Sequence, residues 1–379
     1  MRFVCILQFL AESLLCHSLP SLVWFMYSFK IALQISGVVI VLFSLVPLVK
    51  NDYWAFRVFE YPRLQKLFLN FLVIILYTSL FADFSTIDLA FLALLGANAA
   101  YLIYQIYPFT VFARKVIMKA GHTDDKNQVT IVSSNVFQDN RNTAGCMKML
   151  NGNDPDIILL LETDQFWYEG TKELKEKYPY QVLAPKENTY GMLLYSKLEL
   201  IDSKIRFLVD DEIPSIKAKV KLPSGKCFDL YCVHPTPPVP GENSHSTERD
   251  KELLLVAKEV KESNNPAIVI GDLNDVAWSY TTDLFTKISG LLDPRIGRGF
   301  YNTFHAKLPF LRFPLDHVFC STDFKLVRLA RLENFSSDHF PIFISLLYEK
   351  TAHLQQEEPE ADEQELELAE KKINKDIPD

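Results

Sequence analysis

The chain has 379 residues, 49% of them hydrophobic and 13% aromatic, so it carries ample core material and cannot be a disordered chain. Thirteen glycines and six cysteines exclude a collagen-like or disulfide-scaffold protein. The net charge of −8 sits mostly in residues 349–379, which hold eleven acids and four bases, and the nearly neutral remainder offers no large footprint for duplex nucleic acid.

Charge also separates the two ends of the chain. Residues 1–113 hold only 11 of the 86 charged side chains, the contrast expected between a lipid-embedded and a water-soluble segment. Residues 1–29 start with Arg2 and an apolar stretch interrupted by Glu12, His17 and Pro20. A fourth span, an interfacial segment or an over-long start site all fit that pattern. Ile31–Val49 is free of charge between Lys30 and Lys50, and as a helix it spans about 28 Å, enough for a bilayer core. Apolar runs over Leu67–Ala82 and Leu89–Ala113 follow, and none of the three shows the polar face of a helix packed in a soluble domain. Residues 30–115 therefore read as a membrane domain with helices near 31–49, 67–82 and 89–113.

The loop Lys50–Lys66 carries Lys50, Arg57, Arg63 and Lys66, and Arg114, Lys115 and Lys119 follow the third run. The positive-inside rule puts both on the cytoplasmic side, with Asp83 and Asp88 outside. The expectation is a multi-pass plasma (inner) membrane protein with a cytoplasmic C-terminal domain; an extracytoplasmic domain is the alternative. Arg57 and Arg63 read as topology signals or lipid-headgroup contacts.

After a linker at 116–127 the pattern changes to alternating strands and helices over 128–348. Strands are expected at Val129–Val136, Asp156–Leu161, Gly191–Ser196, Ser215–Leu222, Cys227–Val233, Ala267–Ile270, Leu315–Cys320 and Ile342–Leu347. Ser215–Leu222 alternates strictly and Pro223-Ser-Gly225 turns it into Cys227–Val233, which predicts an antiparallel hairpin. Helices are expected at Thr143–Leu150, Gln165–Tyr178 and Thr247–Ser263. Hairpins mixed with crossovers predict an α/β sandwich rather than a purely parallel sheet. The tail, 349–379, reads as solvated, disordered or partly helical, because Leu366, Leu368 and Ile373 make no convincing stripe.

Polar residues cluster at the ends of these strands: Asn135 in SSNVF, Glu162 in LLLETD, His234 in CVHPTPP, Asp272 and Asn274 in GDLND, Asp316 in PLDHVF, and Asp338-His339 in SSDHFP. Amides, carboxylates and histidines in this combination are the parts of a hard-metal phosphoester hydrolase. Mg²⁺ takes a few carboxylate or amide oxygens and accepts substrate phosphate into its shell, and Mn²⁺ can substitute. No Cys/His metal spacing, HExxH or GxSxG is present.

The order N…E…H…GDxN…LDH…SDH over Val129–Tyr348 resembles the endonuclease/exonuclease/phosphatase superfamily. The segments VFEYPRLQ at Val58–Gln65 and YQIYPFT at Tyr104–Thr110 resemble its membrane-anchored bacterial branch. The resemblance implies a deoxyribonuclease-I-like α+β four-layer sandwich of two mixed β-sheets flanked by helices, preceded here by about three transmembrane helices. It implies Glu162 as principal metal ligand, with Asn135 and Asp338 completing or supporting the site. Asp272 would orient or deprotonate the attacking water, Asn274 and His234 would hold the phosphoryl oxygens, and His339 would be oriented by Asp316. Two departures stand out: Leu161 replaces the Gln common before the metal-binding Glu, and Asp164 stands where nucleases place Arg or Lys. Arg295 and Arg298 in DPRIGRGFYNTF, whose Gly297 and Gly299 would let backbone approach an anion, are candidate replacements for the missing phosphate-binding cation. The expected substrate is a phosphomonoester or phosphodiester, such as a membrane lipid headgroup or a soluble metabolite. A membrane-tethered nuclease and a catalytically silent receptor or scaffold for a phosphorylated ligand are the alternatives.

Overall fold

The structure, a computed structural model, describes residues 2–81, 85–263 and 265–377, with side chains described from residue 23 onward. Asp83 and the side chains of Glu12, His17 and Pro20 lie outside the described residues. The chain forms two compact units. One comprises 1–49 and 63–105; the other comprises 50–62 and 106–379.

The first unit holds the long helix α1 (Arg2–Leu45) and two further helices, with α2 (Trp54–Arg57) lying between them in sequence but belonging to the second unit. These are α3 (Arg63–Phe81) and α4 (Thr86–Ile106). Three stretches, Val23–Val49, Arg63–Phe81 and Thr86–Phe109, are long and apolar enough to cross a membrane. The third helix stops at Ile106, short of the Ala113 expected from composition, because Pro108 ends it in a single 3₁₀ turn over Tyr107–Phe109. The helices pack through Leu33, Val73, Tyr77, Phe91 and Leu95, while Phe68, Ile75 and Ile87 face outward. Polar groups turn inward: Lys30 pairs with Asp88 at 2.9 Å and the Asn98 amide donates to Asn70 at 3.0 Å. Backbone and polar groups in an apolar surround need partners within the protein.

The second unit is a sandwich of two mixed sheets. In chain order its elements are β1 (Gln128–Asn135), α5 (Thr143–Asn153), β2 (Ile157–Leu161), α6 (Gln165–Thr171), β3 (Tyr180–Ala184), β4 (Met192–Ser196), β5 (Glu199–Arg206), β6 (Ser215–Lys221), β7 (Cys227–Val233), α7 (Thr247–Glu262), β8 (Ala267–Asp272), α8 (Tyr280–Ser289), β9 (Asp316–Cys320), β10 (Phe324–Arg331), β11 (Ile342–Tyr348) and α9 (Glu363–Ile373). One sheet runs β10-β11-β1-β2-β4-β3 and the other β5-β6-β7-β8-β9. Among the described strands, β1–β2 and β7–β8 pair in parallel and the rest antiparallel.

The period-two alternation of each strand sorts its side chains into layers. In β2, Ile157, Leu159 and Leu161 enter the core between the sheets, and Ile158 and Leu160 pack under α5 and α6. Both faces are buried, which is why the strand reads IILLL without a polar residue. On the other sheet, Tyr231, Val233, Val269 and Phe319 pack against Leu253, Val256 and Val260 of α7 and Leu284 and Phe285 of α8. The expected hairpin is present, with Ile216 opposite Cys232 and Val220 opposite Phe228.

The tail is partly helical, one of the expected alternatives, and it also docks onto the domain. Asp362 and Glu365 form a reciprocal capping box that starts α9, and Ala369 packs into the α7–α8 layer. The Lys372 ammonium is buried between Asp52 at 2.7 Å and Asp250 at 2.8 Å. A lysine buried by carboxylates from two distant segments leaves no apolar stripe to be seen in the tail alone.

Candidate active site

The strand ends converge at one edge of the sandwich. Asn135 closes β1, Glu162 follows β2, His234 follows β7 and Asp272 closes β8; Asp316 opens β9, and Asp338-His339 precede β11. Parallel pairs end together, and the antiparallel neighbours begin where those pairs end. Gly271 is required by this meeting: a Cβ there would lie 1.8 Å from the Val233 carbonyl of the adjacent strand.

The structure brings six of these residues into one network. Asn135 Nδ2 donates to Glu162 Oε1 at 2.6 Å and to Asp272 Oδ2 at 3.1 Å, while its Oδ1 accepts the Phe137 amide at 2.9 Å. The Asn274 amide donates to Asp272 Oδ1 at 2.9 Å, and Asn274 Nδ2 donates to the Pro235 carbonyl at 2.9 Å. His339 lies between two carboxylates, Nδ1 at 2.7 Å from Asp316 Oδ2 and Nε2 at 3.5 Å from Asp272 Oδ2. Phe304 packs on the His339 ring, with centroids 4.9 Å apart. Asp338 is only partly buried, and its charge acts on both Glu162 and His339.

Burial and charge split the titrations. Burial alone would depress His339, but the Asp316 and Asp272 carboxylates outweigh it and lift the imidazole to about 10. His234 has no such partner close enough, and burial drives it down to about 4. Its Nδ1 is buried without a protein hydrogen-bond partner, and its ring faces Tyr190 at 5.4 Å. Burial pushes Glu162 up to about 7, only partly offset by the Asn135 N–H bond.

Asp272, Asp316 and His339 place potential ligand atoms within 4.8 Å of one another. Both imidazole nitrogens there face carboxylates, so this trio reads better as an acid–base cluster than as a cation cage. Glu162 suits a hard cation better: an oxygen donor with an unfavourable burial energy, which a divalent charge would relieve, and with Asp338 acting on it.

Arg295 and Arg298, the candidate phosphate-binding cations, both have partners within the protein. Arg295 is buried and committed to Asp293 at 2.7 Å and to His317 Nδ1 at 2.6 Å. Arg298 donates to the carbonyls of Pro294, Ile296 and Ile117, and the Gly297 amide is used by the Pro108 carbonyl. Asp164 also has a structural reason: it caps α6 by accepting the Trp167 amide at 2.9 Å and pairs with Arg141. Trp167 is core, and the Trp278 indole donates to the Glu60 carbonyl at 2.9 Å.

Sequence reading missed the residues behind the site. Arg57 is not exposed to lipid headgroups in this fold: it is 3% exposed and lies 3.5 Å from Asp275, the last acid of GDLND. The polar set Arg57, Glu60 and Tyr61 within RVFEYP was the available signal.

A two-sheet sandwich thus carries carboxylates, amides and a doubly paired histidine at its strand ends. The chain belongs to the Endonuclease/Exonuclease/phosphatase family, whose model matches residues 132–339. Solved structures are similar to part of the chain. Zebrafish (D. rerio) TDP2 complexed with single-strand DNA product is 18% identical, covering 58% of this chain and 98% of that one, with a TM-score of 0.48. The human Nocturnin catalytic domain with bound sulfate is 17% identical, covering 60% and 96%, with a TM-score of 0.48. A mannosyl-6-phosphatase of Bacteroides thetaiotaomicron is 19% identical, covering 58% and 100%, with a TM-score of 0.45. No curated protein matches the chain.

Proposed function

We propose that this protein is a membrane-anchored, Mg²⁺-dependent hydrolase of phosphomonoesters or phosphodiesters, and the observation that carries the reading is His339 held between Asp316 and Asp272 beside the buried Glu162. Glu162 and Asp338, supported by Asn135, would hold the cation, which when bound supplies charge to the phosphoryl oxygens. Asp272 orients the attacking water and takes its proton, with both carboxylate oxygens already fixed by Asn274 N–H and Asn135 Nδ2. His339, an imidazolium at neutral pH, stabilises charge on the phosphoryl group while Asp316 holds its Nδ1 proton. His234 stays neutral and offers a hydrogen bond from a ring nitrogen to a phosphoryl oxygen. Attack forms the bond from phosphorus to the water oxygen and breaks the one to the alcohol, whose oxygen is protonated by solvent.

The three apolar stretches support the anchor, with the hydrolase unit on the cytoplasmic side of the plasma membrane by the distribution of Lys and Arg. Segment 50–62 follows the first stretch and residues from 106 follow the third, and both belong to one compact unit, which agrees with a three-span count. Asp164, an acid engaged as a helix cap, and the nearly neutral body favour a lipid headgroup or small phosphorylated metabolite over polynucleotide.

The test uses the full chain in detergent with Mg²⁺ or Mn²⁺ and a panel of phosphomonoesters, phosphodiesters, phospholipids and plasmid DNA. Metal-dependent hydrolysis abolished by Asp272→Ala and by His339→Ala is the expected result. Turnover that survives both substitutions, or no turnover of any ester, would overturn the reading.

A further inference from the structure

Segment 50–62, which links the first two apolar stretches in sequence, is built into the hydrolase unit directly behind the GDLND turn. Tyr61 is half-buried, and its hydroxyl donates to the Asn274 carbonyl at 2.9 Å; Arg249 Nη1 donates to the same oxygen at 2.8 Å. The Arg57 guanidinium reaches Asp275 at 3.5 Å, Glu60 at 3.2 Å and Thr281 Oγ1 at 3.0 Å. Arg249 meets the same Asp275 oxygen at 3.2 Å. The turn therefore has a carbonyl held by two donors and a carboxylate held by two guanidiniums, and half of those partners come from outside the family-matched residues 132–339.

This turn needs holding. Asn274 sits at φ 50°, a left-handed conformation disfavoured for residues with a side chain. Its backbone N–H, carried by the same turn, is the donor that fixes Asp272 Oδ1. Rotation of the turn would withdraw that donor from the carboxylate assigned to the attacking water. Desolvation pushes the Tyr61 hydroxyl's pKa up, and toward the Asn274 carbonyl oxygen the protonated phenol can only donate.

We propose that residues 50–62 are a positioning element of the active site, in which Tyr61 and Arg57 lock the Leu273–Asp275 turn and so orient Asp272; the hydrolase is incomplete without a segment carried by its membrane-linked region. In its kinetic consequence the inference rests on the hydrolase reading; in its structural content it does not.

The experiment compares wild type, Tyr61→Phe and, as a control in the same segment, Tyr53→Phe, all as full chains in detergent. Tyr53 is partly exposed and packs on His245, away from the turn. Two readouts are taken: hydrolysis of bis(4-nitrophenyl) phosphate with Mn²⁺, and amide hydrogen exchange over residues 271–278. Tyr61→Phe should lower kcat about five- to tenfold with KM within about twofold, and speed exchange at the turn by a similar factor. Exchange in the central strands should stay at the wild-type rate, and Tyr53→Phe should match wild type in both readouts. Unchanged exchange at 271–278 in Tyr61→Phe would overturn the proposal, as would a general loosening of the whole unit. Wild type without turnover would sink the hydrolase reading alone, and the exchange comparison would still decide the positioning role.

Discussion

The two units of this chain solve opposite solvent problems with the same residue types. In the helical unit, Ile75 is 58% exposed and Phe68 is 68% exposed, while Asn70 is fully buried and hydrogen-bonded to the Leu95 carbonyl. In the sandwich, Leu159 and Leu230 are fully buried between the sheets, and buried charges such as Arg249 and Asp250 are paired. A unit that turns apolar groups outward and pairs polar groups inside is suited to lipid; one that does the reverse is suited to water. The same sequence patterning cannot be read with one rule across both.

The contrast can be broken most decisively at the site. Asp272→Asn is expected to cost about a thousandfold in kcat with little change in Tm, measured by phosphodiester hydrolysis beside a thermal melt. A collapsed Tm with normal activity per folded molecule would instead make the buried carboxylates structural. Next in size is a matched pair of truncations. Leu230→Ala removes a side chain from the inter-sheet core and should cost about 3 kcal/mol, while Ile75→Ala in detergent should cost under about 0.5. Chemical-denaturant midpoints compare the two, and equal losses would mean that the helical unit packs like a soluble core.

A third measurement concerns Glu252 on α7, which is buried with Oε1 unpartnered. Burial raises its carboxyl to about 8 from an ordinary 4.5. A folded value above the unfolded one means that the folded chain binds this proton more tightly, so its contribution is complete below pH 4.5 and lost as pH rises through 8. Glu252→Gln should therefore raise stability at pH 8.5 by roughly 2 kcal/mol and leave pH 4.5 nearly unchanged. An equal effect at both pH values would refute the burial argument. The smallest effect sharpens the polar interior of the helices: Asn70→Leu should cost about 1 kcal/mol by stranding Asn98 and the Leu95 carbonyl, with kcat untouched.

The elements that sequence reading found and those it missed divide along a physical line. Strands β1, β2, β4, β6, β7, β8 and β11 were all legible, and each has neighbours on both sides. β9, an edge, was also found, because its DHVFC is fully buried. The three missed strands, β3, β5 and β10, are the remaining sheet edges. β5 reads ELIDSKIR with its middle exposed, so charge replaces the apolar alternation that a pattern search needs. Helix α8 was missed although Ser279 caps it and Gly290 ends it at φ 75°, because YTTDLFTKIS opens on three residues of weak helix propensity.

By itself the sequence determined the layer architecture and the composition of the site, because buried strands must be apolar and strand-end polar residues stand out against them. It also marked the helices suited to lipid, since an all-round apolar surface is a property of the segment alone. Tertiary structure decided which charges act together. Arg295 looked free and is spent on Asp293 and His317; Arg57 looked like a surface signal and lies against Asp275, 218 positions along the chain. Lys372 joins the tail to Asp52 and Asp250 in the same way. Ion pairs and hydrogen bonds have no sequence period, so whether a charged side chain meets solvent, a ligand or a buried partner is set only when the fold closes around it.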